Sequence, residues 1–144
     1  MSDVSKPTTL FWILAIVFIL WGLMGCGMYL LEMTMSDAAY LDAFGAELAA
    51  VRDVYPMWGL ASYALAVWSG LLAAVLFLLR KGVSVSIFIF SLIAAIVGFI
   101  PSFTNEILRD AAGHGFWVMP LVVVVIGCFE VFYSRRQRAN GVLR

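Results

Sequence analysis

Apolar residues fall into four long runs along the chain, set apart by short polar stretches, at about 10–31, 57–79, 83–103 and 116–133. Crossing about 30 Å of hydrocarbon takes roughly 20 helical residues, and each run is close to that length. The runs are apolar on every face, whereas the strands of a membrane barrel alternate. Lipid offers no partners to open backbone groups, so each run predicts a transmembrane helix. The first run is too long for the apolar part of a cleaved leader, and no small-x-small site follows it, so it is expected to be retained. The expected fold is all-α: one four-helix transmembrane domain over residues 1–144.

Between the first two runs the period changes. Leu41, Phe44, Leu48, Val51 and Tyr55 recur at spacings of three and four, while Asp37, Asp42, Glu47 and Asp53 lie between them. That is one apolar stripe on an otherwise polar helix. Ser36 is a good N-cap, and Asp37 suits the positive end of the helix dipole. Pro56 ends this helix and opens the next, where its missing N–H costs little. The pattern predicts an amphipathic helix over 36–55 outside the membrane. Its stripe (Leu41, Phe44, Leu48 and Val51) rests on the lipid interface, closes over the bundle as a lid, or docks a partner. Its polar face is acidic, unlike the Lys/Arg-rich face of most lipid-binding helices, which favours the lid or the dock. Arg80, Lys81 and Gly82 leave room only for a tight turn, so the second and third helices are antiparallel neighbours. Residues 105–115 are expected to form a short loop.

Composition narrows the class. Of 144 residues 64% are hydrophobic and 12% charged, which excludes a disordered chain and an ordinary soluble domain. A formal net charge of zero excludes a nucleic-acid binder. The neutral total conceals an asymmetry. Lys6, Arg80, Lys81, Arg135, Arg136, Arg138 and Arg144 fall on one side of the membrane with Asp3. The other side has only Arg52 and Arg109 against Glu32, Asp37, Asp42, Glu47, Asp53, Glu106 and Asp110. The positive-inside rule then puts both termini in the cytoplasm.

Helices associate in lipid where small residues let backbones approach. Ser62, Ala66, Gly70 and Ala74 form such a stripe in the second span, Ala94, Gly98 and Ser102 in the third, and Gly22, Gly25, Cys26 and Gly27 mark the first. The fourth span has few small residues before Gly127, so the first three are expected to form the tight core and the fourth to pack loosely or face lipid.

Candidate chemistry is sparse. Trp12, Trp58 and Trp117 stand at span ends, as an aromatic belt requires, but Trp21 and Trp68 stand near mid-span and could form an aromatic wall. Glu130 is the one acid well inside a span, read either as a structural acid, ion-paired with Arg80, Arg135 or Arg136 or snorkelling to the surface, or as a functional carboxyl for proton coupling or a partner contact. Glu32, Tyr29, Tyr55 and Tyr63 share a depth near the acidic side and, with Trp58, could line an outward pocket. His114, in Gly113-His114-Gly115, is read as a loop residue; one histidine cannot supply bis-histidine haem ligation, and no metal spacing surrounds it. Cys26 and Cys128 differ in depth by on the order of 13 Å, too far for a disulfide, so both are expected as free thiols. No nucleophile–base pair, phosphate loop or midplane carboxylate pair is present, so neither enzymatic activity nor a cofactor is expected.

Several short motifs occur in order: Trp21-Gly22-x-x-Gly25 with Tyr29, Ser36, Tyr55-Pro56-x-Trp58, Ala66-Val67 with Gly70, Leu78-Leu79-Arg80-Lys81, Ser91-Leu92, Met119-Pro120 and Gly141. Through them the chain resembles a group of small four-helix bacterial membrane proteins that often carry the label "sugar transporter". The resemblance implies a bacterial inner-membrane location. Where that group often has Asn after the tryptophan, this chain has Gly22, which removes a midplane polar group.

Two functions are compatible with these features. One is a structural, accessory or regulatory subunit docking to a larger membrane complex through the small-residue faces and the outer helix. The other is a small solute carrier, whose four helices enclose so little volume that it would act as a homo-oligomer. The lipid bilayer, and a membrane-protein partner or a second copy, are the expected contacts.

Overall fold

The computed structural model describes residues 5–144; Asp3 lies outside them. Six α-helices follow in order: α1 Thr9–Thr34, α2 Asp37–Val51, α3 Met57–Leu78, α4 Ser84–Thr104, α5 Glu106–Ala112 and α6 Val118–Ala139. Four of them, α1, α3, α4 and α6, are 21 to 26 residues long and apolar enough to cross a membrane. The chain is therefore a multi-pass, all-α membrane protein. Helix α6 continues past the apolar run to Ala139, because Arg136 and Arg138 in its last turn complement the negative end of the helix dipole.

The α3–α4 pair makes the most extensive contact; α1 lies against α3, and α6 against α4. Small residues set these distances. A Cβ on Gly70 would lie 2.9 Å from Ser91 Oγ, and that hydroxyl donates to the Ala66 carbonyl at 2.7 Å. Toward the acidic end Gly98 lies against Ser62 and Tyr63, and Ala74 is fully buried toward the other end. On the α1 side, a Cβ on Gly22 would lie 3.0 Å from the Leu71 Cα, and the Cys26 thiol donates to the Val67 carbonyl at 3.3 Å. Helix α6 approaches α4 where Gly127 meets Leu92. It meets only α4 extensively, and that contact is the smallest of these three between long helices, as expected of the loosest span, although Glu130, Tyr133 and Ser134 in its basic half are buried.

The core lies in that basic half and is aromatic. Phe18 of α1 sits with ring centroids 5.5 Å from Phe77 of α3, 5.8 Å from Phe88 of α4 and 6.3 Å from Tyr133 of α6. All four long helices thus meet on one ring, mostly edge-on, the arrangement aromatic quadrupoles prefer.

Two Schellman turns close the basic end. Arg80 follows α3 at φ 61°, with Lys81 N–H donating to Leu76 and Arg80 N–H to Phe77. Gly141 follows α6 at φ 71°, with Val142 N–H donating to Gln137 and Gly141 N–H to Arg138. The second turn sends Val142 and Leu143 back into the aromatic core, where both are buried. Arg144 N–H donates to the Arg80 carbonyl at 2.7 Å, Gly82 N–H donates to the Arg144 carbonyl, and Arg80 Nε donates to Val142 at 2.9 Å. A left-handed arginine costs on the order of 1 kcal/mol relative to glycine; its hydrogen bond to the folded-back segment offsets that cost.

The acidic end differs from expectation in two places. The helix expected over 36–55 ends at Val51 and is broken at Gly45, whose φ of 86° no side chain adopts easily; a 3-10 turn covers residues 52–54. The loop expected over 105–115 contains a helix, α5, because Asn105 Oδ1 accepts the Ile107 N–H as an N-cap and Leu108 has an apolar contact to bury. Helix α2 packs against α5, and the two form a cap.

Candidate functional site

Four of the five tyrosines gather at the acidic end around Glu32. Tyr29 and Glu32 come from the last turns of α1, Tyr40 from α2, Tyr55 from the turn before α3, and Tyr63 from α3. Tyr29 and Tyr63 meet edge-on with centroids 5.3 Å apart. Tyr55 reaches the Gly98 carbonyl, and Gly98 lies against the Tyr63 backbone. The residues that share a depth in the sequence thus come together, with Tyr40 added. Trp58, by contrast, is exposed at the bundle surface.

Arg52 organises this end. Its guanidinium donates to the Glu32 carbonyl at 2.9 Å, to the Met35 carbonyl at 3.2 Å and to Asp37 Oδ1 at 3.2 Å. The two carbonyls belong to the end of α1, where backbone acceptors lack helical partners and the dipole is negative. The Tyr40 ring lies under the same group, 4.8 Å from its central carbon, at cation–π distance. One side chain therefore ties the end of α1 to the start of α2. Burial raises the Tyr40 phenol above the ordinary tyrosine value, Glu32 adds to the rise, and Arg52 opposes it.

Tyr55 joins the cap to α4. Its hydroxyl donates to the Gly98 carbonyl. Gly59 makes space for the ring: a Cβ there would lie 2.7 Å from Tyr55 Cε1 and 3.2 Å from Pro101 Cγ. Burial pushes the Tyr55 phenol up, with the Ser102 hydroxyl, as a donor to the phenolate, working against the rise and Glu32 adding to it.

The other candidates lie apart from this cluster. Glu130 is buried in the basic half of α6. The ion pairs among the described residues are Arg52–Asp37 and Arg109–Glu106, so the pair expected for Glu130 does not form. The reason is helical: the same-face neighbours of Glu130 are Tyr133 and Ser134, not Arg135 and Arg136, and Arg80 is engaged with Val142. Trp21 is half-buried beside the α1–α3 contact, and Trp68 points outward at 46% exposure, so the two do not form a wall within one chain. The α2 stripe divides: Leu41 stays 46% exposed, while Phe44, Leu48 and Val51 are half-buried. His114 is exposed in a 3-10 turn. Cys26 and Cys128 are free thiols, and among the described residues no His, Cys, Asp and Glu group could hold a metal ion.

At the basic end two open recesses flank Arg136. The larger, about 630 Å³, runs along α6 beside Leu92 of α4; the smaller, about 450 Å³, includes Lys6 and Tyr133. Comparison with family models, curated proteins and solved structures finds no match to the chain.

Arg52 and Tyr40 were the members of the acidic cluster hardest to find from sequence. The available signal was that Arg52 is one of two cations among many acids on that side, where a lone guanidinium has strong reason to be engaged. The α1 carbonyls it serves carry no sequence signature.

Proposed function

We propose that this chain is a non-enzymatic accessory or regulatory subunit that docks to a larger complex in a bacterial inner membrane, with its basic end in the cytoplasm and its α2–α5 cap outside. The observation that carries this reading is the aromatic core. Rings from all four membrane-capable helices fill the basic half of the bundle around Phe18, so a single copy has packed side chains where an axial path would run. What it offers instead is surface. Leu41 and Val54 stay exposed on an acidic cap, and the cap is pinned by Arg52 and Tyr55 rather than left free to hinge. A rigid exposed apolar residue amid acids suits docking better than gating.

The test is purification in gentle detergent with quantitative mass spectrometry. A membrane subunit present in fixed stoichiometry, and lost in Leu41→Glu while the variant still inserts, supports the reading. Leu41 is the better target than Phe44, whose ring packs at a tilt against Tyr40 within the cap, centroids 4.6 Å apart. Saturable solute uptake by the pure reconstituted protein overturns it.

That second outcome is the alternative reading, a carrier acting as a homo-oligomer. Glu130 favours it, as a carboxyl within a span without an ion pair among the described residues, the kind of group that proton-coupled transport uses. Glu130→Gln would then abolish uptake.

A further inference from the structure

We infer that the recess between α4 and α6 at the basic end is a binding site for one anionic phospholipid of the adjoining leaflet. Leu92, Cys128, Val131 and Phe132 line its apolar length, Arg135 and Arg136 follow toward the membrane surface, and Ala139 ends the row. The order along α6 matches the order along a lipid. Residues 128, 131 and 132 lie deeper in the membrane, and 135 and 136 lie about one turn nearer the surface, so an acyl chain follows the first set and its phosphate reaches the second.

Charge sets the class of lipid. Of the cations at this end, Arg80 donates to Val142 and Ser5, and Arg138 lies against the Gly82 turn. Arg135 and Arg136 are exposed and pair with no carboxylate among the described residues. Two adjacent guanidinia present several N–H donors in planar forks, a geometry that fits phosphate oxygens. Lys6, across Arg136 in the neighbouring recess, adds a third positive charge. Zwitterionic lipids carry their own ammonium close to the phosphate and so gain less from three cations. A basic pocket between transmembrane helices at one bilayer surface is the setting in which anionic headgroups are held. At about 630 Å³ the recess is open along its length, which suits a lipid entering sideways from the bilayer. The inference holds for either orientation of the chain, because the lipid belongs to whichever leaflet meets the basic end.

The test uses the full-length protein in mixed vesicles of phosphatidylglycerol and phosphatidylcholine, extracted in mild detergent, with retained lipid counted by native mass spectrometry. The expected result is one phosphatidylglycerol retained in preference to phosphatidylcholine. Arg135→Gln with Arg136→Gln should weaken retention about thirtyfold, from two surface charges. Cys128→Trp, which fills the apolar part and leaves both charges, should also displace the lipid. Lys81→Gln, a charge lost at the same end but outside the recess, should leave retention unchanged. All four altered side chains are exposed, so folding is preserved. Equal retention of the two lipids, or retention indifferent to the double arginine change, overturns the inference. Loss in the arginine variant with full retention in Cys128→Trp also overturns it, since the attraction would then be that of a charged surface without a site.

Discussion

Arg52 does more for the acidic end than any other side chain. Its ion pair with Asp37 contributes little, because Asp37 is fully exposed. The weight rests on its bonds to the carbonyls of Glu32 and Met35, where a charged donor meets otherwise unpartnered acceptors. Arg52→Gln should therefore free the cap, by on the order of 2 kcal/mol. The α2 amides should exchange hydrogen much faster while those of α3 and α4 do not, and Asp37→Asn should leave exchange near wild type. Tyr55 makes a second, pH-dependent contribution. Its phenol must be protonated to donate to Gly98, and its pKa in the folded chain stands above the ordinary value. The contribution is thus fully present below the unfolded value, about 10, and is lost as pH rises through the folded value. The unfolding temperature of the wild type should fall more steeply above roughly pH 10 than that of Tyr55→Phe, which starts lower at neutral pH because the bond is already gone.

Between helices, the character of the neighbouring atom decides what a glycine is worth. A Cβ on Gly22 meets the Leu71 Cα at 3.0 Å, and backbone yields little. A Cβ on Gly127 meets the Leu92 Cδ1 at 2.8 Å, the far end of a side chain that can turn aside. A Cβ on Gly27 meets nothing within 4 Å. The yield of folded protein should fall most for Gly22→Ala, less for Gly127→Ala and not at all for Gly27→Ala, read by detergent-resistant monomer on size exclusion. Gly70→Leu should be worse than any of the three, since it forces Ser91 off the Ala66 carbonyl. This ranking was only half legible in the sequence. The stripe through Ser62, Ala66, Gly70 and Ala74 could be read from its four-residue spacing, because a helix places such residues on one face. Which of Gly22, Gly25 and Gly27 faces a partner could not, because it depends on the rotation of α1 about its own axis.

For the molecule as a whole, the asymmetry of charge is the property with the largest consequence. Five of the seven basic-end cations, Arg80, Lys81, Arg135, Arg136 and Arg138, are at helix ends or in turns, and most of the acids lie at the opposite end. Reporter fusions after residue 144 should report cytoplasm and fusions within α2 the opposite side. Replacing Arg80 and Lys81 with neutral residues should make the second and third spans insert with mixed orientation, since short-loop cations set topology.

Sequence alone determined the number of membrane-capable helices and which charges gather at which end of the bundle, because lipid imposes one rule on every backbone group and each such helix meets it within itself. The gathering of Glu32, Tyr29, Tyr55 and Tyr63 was visible as a shared depth for the same reason: rise per residue is fixed in a helix. The tertiary structure alone decided what depends on the rotation and closure of several elements at once. It turned Glu130 onto the face of Tyr133 and Ser134 and away from the arginines, set Trp68 outward, and brought Arg52 to the end of α1. It also folded Val142 and Leu143 back beneath Phe18, Phe77 and Phe88. These contacts join residues far apart in the chain, and no local pattern records them.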